Sequence, residues 1–181
     1  MSVTSNGEAV TDLTPPFDPQ RDHWRGGDPG AATLLVFGDY QCPYTRMADR
    51  SIRRLRDEYG ALRVSFRHLP LTDIHPRALA AAVVAEAAAA QGRFWEMHDL
   101  LFDNQKALAA DDLHGYAAEL AVDLDAADTD SITTRLEADY RSAIESGVRG
   151  TPTLFINGEL YVESYQSDDL GRALEAAGLT R

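Results

Sequence analysis

A short apolar run, Leu34-Leu35-Val36-Phe37, stops at Gly38-Asp39 and leads through Tyr40-Gln41 to Cys42-Pro43. Beyond the proline, Met47, Ile52, Leu55 and Tyr59 recur at helical spacing. The run has the length and composition of a buried strand. Proline fits the first turn of a helix, so the pattern predicts Cys42 at a helix N-terminus. Backbone N–H groups and the helix dipole favour the thiolate there, and the thiolate is the reactive form of cysteine. Cys42 is the chain's one cysteine, and Thr45 stands where a Cys-x-x-Cys pair would carry its second thiol. The pattern therefore activates a thiol without closing a disulfide. The plain alternative for Cys42 is a small buried apolar residue.

Strand 33–37, helix 43–59 and strand 62–67 make a parallel β-α-β unit. Residues 76–91 are alanine-rich and strongly helix-forming, with Pro76 near the start and Gly92 past the end. Further helices are expected over 94–102, 111–120 and 131–146. Thr151-Pro152 then precedes a strand at 153–156, Asn157-Gly158 marks a two-residue hairpin turn, a strand follows at 160–163, and a helix over 168–177 closes the chain. A cis bond at Thr151-Pro152 is expected, since X-Pro is the common cis peptide and serves tight turns. The alternative is an ordinary strand-edge proline. Residues 1–27, polar and rich in proline and glycine, read as a disordered tail or linker.

Phe37-Gly38-Asp39-Tyr40-Gln41-Cys42-Pro43-Tyr44, Phe94-Trp95-Glu96-Met97-His98 and Gly150-Thr151-Pro152-Thr153 stand in the order of the DsbA-like branch of the thioredoxin superfamily, which the chain resembles. Asp18-Pro19-Gln20-Arg21-Asp22-His23, Arg67-His68-Leu69-Pro70-Leu71 and His75-Pro76 extend the likeness to the thioredoxin-like domain fused to bacterial sodium/proton antiporters. The resemblance implies an α/β thioredoxin-like fold over 28–181 with a helical insertion at about 73–147. It implies a catalytic Cys42 within the motif Pro43, Tyr44 and Thr45. Pro152 would lie beside Cys42, and the Thr151 backbone would pair with substrate. That family usually carries a second cysteine where this chain has Thr45, so an adduct on Cys42 must be resolved by an external thiol. The expected activity is monothiol thiol-disulfide exchange. Protein or peptide disulfides and small thiols would be the partners, with a low-molecular-weight thiol as co-substrate and no resident cofactor. The alternative is a redox-sensing or peptide-binding regulatory module, attached to or derived from a membrane antiporter.

Three supporting residues stay open at this level. Thr45, one turn into the helix, either donates to the thiolate or is an ordinary polar residue. Asp39 either caps the helix or tunes proton transfer from the thiol. His75 either approaches the thiol or sits as a cap or surface residue. His98 and His114 read as structural.

A net charge of −12, from 29 acidic and 17 basic residues, argues against nucleic-acid binding, which needs a basic footprint. No run approaches a membrane span. No Cys/His pattern has zinc spacing, so no metal is expected. The N-terminus lacks a basic region followed by an apolar stretch, and this reading places the protein in the cytoplasm.

Overall fold

The computed structural model describes residues 12–27 and 32–180. The apolar run forms the central strand of a five-stranded sheet. In chain order the elements are β1 (His23–Arg25), β2 (Thr33–Gly38), α1 (Pro43–Glu58), β3 (Arg63–His68), α2 (Ala78–Ala89), α3 (Phe94–Asp103), α4 (Ala110–Glu119), α5 (Thr129–Glu145), β4 (Thr153–Ile156), β5 (Glu159–Tyr161) and α6 (Ser167–Ala176). The strands lie in the order β1-β3-β2-β4-β5. β2 runs parallel to β3 and antiparallel to β4, with Leu35 opposite both Ser65 and Phe155. β4 and β5 turn on Asn157 and Gly158, whose φ values of 52° and 91° are those an Asn-Gly hairpin turn needs. This is the expected thioredoxin-like α/β fold, with α2 to α5 between β3 and β4.

Every residue of β2 is buried, because side chains alternate between two covered faces. Leu34 and Val36 share a core with Val64, Phe66, Ile52 and Leu55 of α1, Met97 and Leu101 of α3, and Leu170 and Leu174 of α6. Leu35 and Phe37 join Phe155, Leu69, Ala143 of α5, Val148 and Leu13 in a second core. The alanines of α2 are buried around nearly the whole helix, as expected of a helix apolar on all sides. Gly38 ends β2 where no side chain fits: an added Cβ would lie 2.3 Å from the Phe66 ring and 2.9 Å from Thr45 Cγ2.

The N-terminal segment departs from the expected tail. Residues 1–11 lie outside the described residues, but 12–27 are built into the fold. Leu13 is 4% exposed and belongs to the second core. Its N–H donates to the Gly158 carbonyl at 2.8 Å. β1 pairs antiparallel with β3. The anchor is the fully buried Arg67 guanidinium, which donates from Nε and Nη2 to the two Asp22 carboxylate oxygens, each at 2.9 Å. Arg67 also donates to the Pro15 carbonyl at 3.0 Å, the Pro16 carbonyl at 3.2 Å and Ser142 Oγ at 2.7 Å. Polar composition suggested a linker because the few apolar contacts, Leu13 and Phe17, are spread among residues whose polar groups are consumed by one buried arginine.

Removing one partner of a buried ion pair strands the other charge, at a cost of about 3–5 kcal/mol. Asp22→Ala should therefore lower the unfolding free energy by that order in denaturant melts. A loss below about 1 kcal/mol, the range of exposed pairs, would remove Arg67–Asp22 as the anchor of this segment.

Candidate active site

The site is assembled by the end of β2, the first turn of α1 and the loop before β4. Gly38 stops the strand and Asp39 to Gln41 turn the chain. Cys42 is the N-cap of α1 in an extended conformation (φ −72°, ψ 119°), with Pro43 opening the helix. Cys42 is 3% exposed, and its thiol donates to the Thr151 carbonyl at 3.3 Å. The Thr151–Pro152 bond is cis. The two distant sequence signals thus meet at one sulfur atom. Tyr44 projects outward at 60% exposure, next to the exposed Pro43.

Asp39 is the hub beneath this motif. Its carboxylate is fully buried and accepts four hydrogen bonds. Oδ1 takes the N–H of Gln41 at 2.7 Å and of Cys42 at 3.2 Å. Oδ2 takes the N–H of Leu71 at 2.9 Å and pairs with His75 Nδ1 at 2.8 Å. Asp39 therefore fastens the motif turn to the β3–α2 loop, and His75 reaches the motif through Asp39. The Thr45 side chain is buried, and its Oγ1 accepts from the Asp39 N–H at 3.5 Å.

The contacts of two glutamines carried no sequence signal. Gln105, between α3 and α4, donates from Nε2 to the carbonyls of Tyr40 at 2.8 Å and Cys42 at 2.9 Å. The helical insertion thereby grips the motif backbone. Gln41 Oε1 accepts from the Arg77 N–H at 2.7 Å. A lone glutamine after a helix looks like any surface residue until the loop is folded. His98 is structural, as expected: its ring lies between Asp49 Oδ1 at 3.3 Å and the Tyr40 hydroxyl at 3.1 Å. Burial pushes its imidazole down, against the opposing pull of Asp49.

Asp39→Asn would replace one acceptor oxygen with an N–H group facing other donors. Leaving a buried donor unpaired costs about 1–3 kcal/mol. Denaturant unfolding of the variant should show a loss in this range, with faster amide exchange at Leu71. An unchanged midpoint would refute Asp39 as the clamp.

A family model described as Thioredoxin matches residues 19–176. The Na(+)/H(+) antiporter NhaA 1 of Salinispora arenicola is 44% identical over 175 residues, which make up 94% of this chain and 27% of that protein. The chain thus spans little more than a quarter of the length of such curated relatives. Among solved structures, a periplasmic thioredoxin-like protein from Salmonella enterica serovar Typhimurium superposes with a TM-score of 0.78 at 20% identity, covering 89% of this chain and 92% of that one. The thiol-disulfide exchange protein alpha-DsbA2 from Wolbachia pipientis matches with a TM-score of 0.74 at 18% identity, covering 86% of each chain. At these identities the structures establish the fold. They also correct the cytoplasmic expectation, since a neighbour with this fold is periplasmic. That expectation rested on the first residues of the sequence, and a chain spanning 27% of a relative carries no information on compartment in where it begins. Sequence match, sheet order and the Cys42–Thr151 contact agree: the chain belongs to the thioredoxin family.

Proposed function

We propose that the protein is a monothiol thiol-disulfide oxidoreductase. The observation that carries this reading is the Cys42 sulfur at the N-cap of α1, against the Thr151 carbonyl, in a chain with no second cysteine. The Cys42 thiol first loses its proton to solvent. The thiolate attacks one sulfur of a substrate disulfide, a new S–S bond forms to Cys42, and the other substrate sulfur leaves as a thiolate. With no partner thiol at position 45, a low-molecular-weight thiol in the thiolate form attacks the mixed disulfide. Cys42 leaves as thiolate, and the small thiol either carries the substrate sulfur away or is exchanged for a second substrate thiol. Each step breaks one S–S bond and makes one, so no external electron carrier is required.

Thr151 and Pro152 form the platform on which an extended substrate meets Cys42, and the exposed Pro43 and Tyr44 form its rim. Asp39 and His75 position the motif turn. Protein and peptide disulfides are the partner class, in line with the name of the Wolbachia match as a thiol-disulfide exchange protein. A second reading has its own support: relatives covering this chain are named as antiporters. In it, the domain is a redox-sensing or peptide-binding module of such a transporter, and Cys42 is modified once without turnover.

Incubation with oxidised glutathione or a disulfide-bonded peptide should add one adduct mass to Cys42 that persists until reductant is added. Cys42→Ser should show no adduct. Repeated turnover with excess small thiol supports the exchanger, whereas a single modification supports the sensor. An unmodified Cys42 after prolonged exposure would refute both covalent readings.

Thr45→Cys should form a motif disulfide under mild oxidant, since the two positions lie one helical turn apart. Mass spectrometry would show the loss of two hydrogens and a gain of dithiol-type activity. A folded variant that keeps both thiols free would refute Thr45 as the site of the missing resolving thiol.

A further inference from the structure

Away from Cys42, three metal-competent side chains converge where β1, β3 and α2 meet. His23 comes from β1, His68 from the end of β3 and Glu86 from the alanine-rich α2. Among the described residues they are the one His/Cys/Asp/Glu group whose ligating atoms all fall within 4.8 Å of one another. His23 Nε2 and His68 Nε2 each lie 2.7 Å from Glu86 Oε1. We propose that His23, His68 and Glu86 form a three-ligand site for a divalent transition metal of the zinc class, with water as the fourth ligand.

The donor set is two imidazole nitrogens and one carboxylate oxygen, which suits zinc and leaves one tetrahedral position open. The rings are held in place before any ion arrives. His23 stacks on Phe94 with centroids 3.7 Å apart and planes 15° from parallel. His68 stands edge-on to Phe66 at 5.3 Å and to Phe94 at 5.9 Å. Glu86 is 7% exposed and His68 1%. The His23 side chain keeps 20% exposure, which gives an ion and a water a path from solvent. Zinc bonds of about 2.0–2.1 Å put neighbouring tetrahedral ligands roughly 3.3 Å apart. Opening each histidine–Glu86 contact by about half an ångström gives zinc spacing along those two edges.

One carboxylate oxygen serves both rings, and buried His68 Nδ1, with no hydrogen-bond partner among the described residues, is open to the proton that metal binding displaces from Nε2. The backbone N–H of His68 donates to the buried Asp139 carboxylate at 2.8 Å, which fixes the strand end that carries this ligand. In the bound state the Nε2 lone pairs and Glu86 Oε1 form the three bonds. A neutral ring gives up its Nε2 proton and takes one at Nδ1, and a protonated ring releases one proton, the protons passing by way of Glu86 and the partly exposed His23 edge. No electron changes hands. The expectation of no metal came from spacing along the chain. These ligands stand 63 and 18 positions from Glu86, so only the folded sheet brings them together.

The test uses the full chain, stripped with a chelator and dialysed against zinc, then against cobalt(II). Wild type and Cys42→Ser should each retain one equivalent of zinc, show the intense visible bands of four-coordinate cobalt(II), and melt at a higher temperature with metal. Glu86→Gln and His23→Gln should weaken zinc at least about tenfold, as loss of supporting groups alone already does, and lose the cobalt bands. His23→Gln, at the partly exposed edge, is the variant that keeps the fold if Glu86→Gln does not, with circular dichroism as the check. Absence of retained zinc in wild type overturns the proposal. So does zinc retained undiminished by folded His23→Gln, or zinc lost with Cys42→Ser.

Discussion

The buried carboxylate of Asp39 is the constraint on which the thiol's placement depends. It receives two N–H groups from the motif turn, a third from Leu71 and the imidazole of His75. A buried carboxylate is tolerable only when its lone pairs are used, and here four donors use them. The cost of burying the charge thus becomes positional information. The turn before Cys42 cannot shift without breaking bonds to the β3–α2 loop. Gln105 completes the frame from the insertion side by holding the Tyr40 and Cys42 carbonyls.

The same logic operates at the neighbouring strand end, where Arg67 stands opposite Phe37. Arg67 is buried with five donor contacts, two of them to Asp22. Both hubs lie at or beside the C-terminal ends of β2 and β3, and both bind segments that carry little apolar surface of their own. The two hydrophobic cores explain why the sheet forms. The two buried charges explain how the surrounding loops acquire a single arrangement.

Much of this was legible in the sequence. The run Leu34–Phe37, the Cys42-Pro43 junction, the alanine-rich segment and the Asn157-Gly158 turn are local signals, and each appears within two residues of its expected place. The placement of Pro152 near Cys42 followed from family resemblance, and no spacing rule would have produced it; the bond from Cys42 to the Thr151 carbonyl belongs to the fold alone. What stayed hidden depended on contacts across long sequence separations. β1 has three residues, too short for a period to show, and its anchor is an arginine 45 positions away from its aspartate. The contacts of Gln105 with the motif carbonyls and of His75 with Asp39 were invisible for the same reason. A single polar side chain announces nothing until the partner backbone is in place. Glu86 did leave a trace, as the one acidic residue in a run of alanines and valines, where an unpartnered charge would not be buried.

The pairing of β1 with β3 also bears on modularity. β1 occupies the outer side of β3, and Leu13 with Phe17 closes the face formed by Leu35, Phe37 and Phe155. A polypeptide cut after Gly27 would bare a strand edge whose N–H and C=O groups invite pairing with another chain, beside an uncovered aromatic surface. The glycine pair Gly26-Gly27, which looks like a hinge between domains, is an internal corner: both residues adopt positive φ and pack against the backbone at Ala61 and Leu62. The folded unit therefore begins no later than Asp12, which bridges to Glu159.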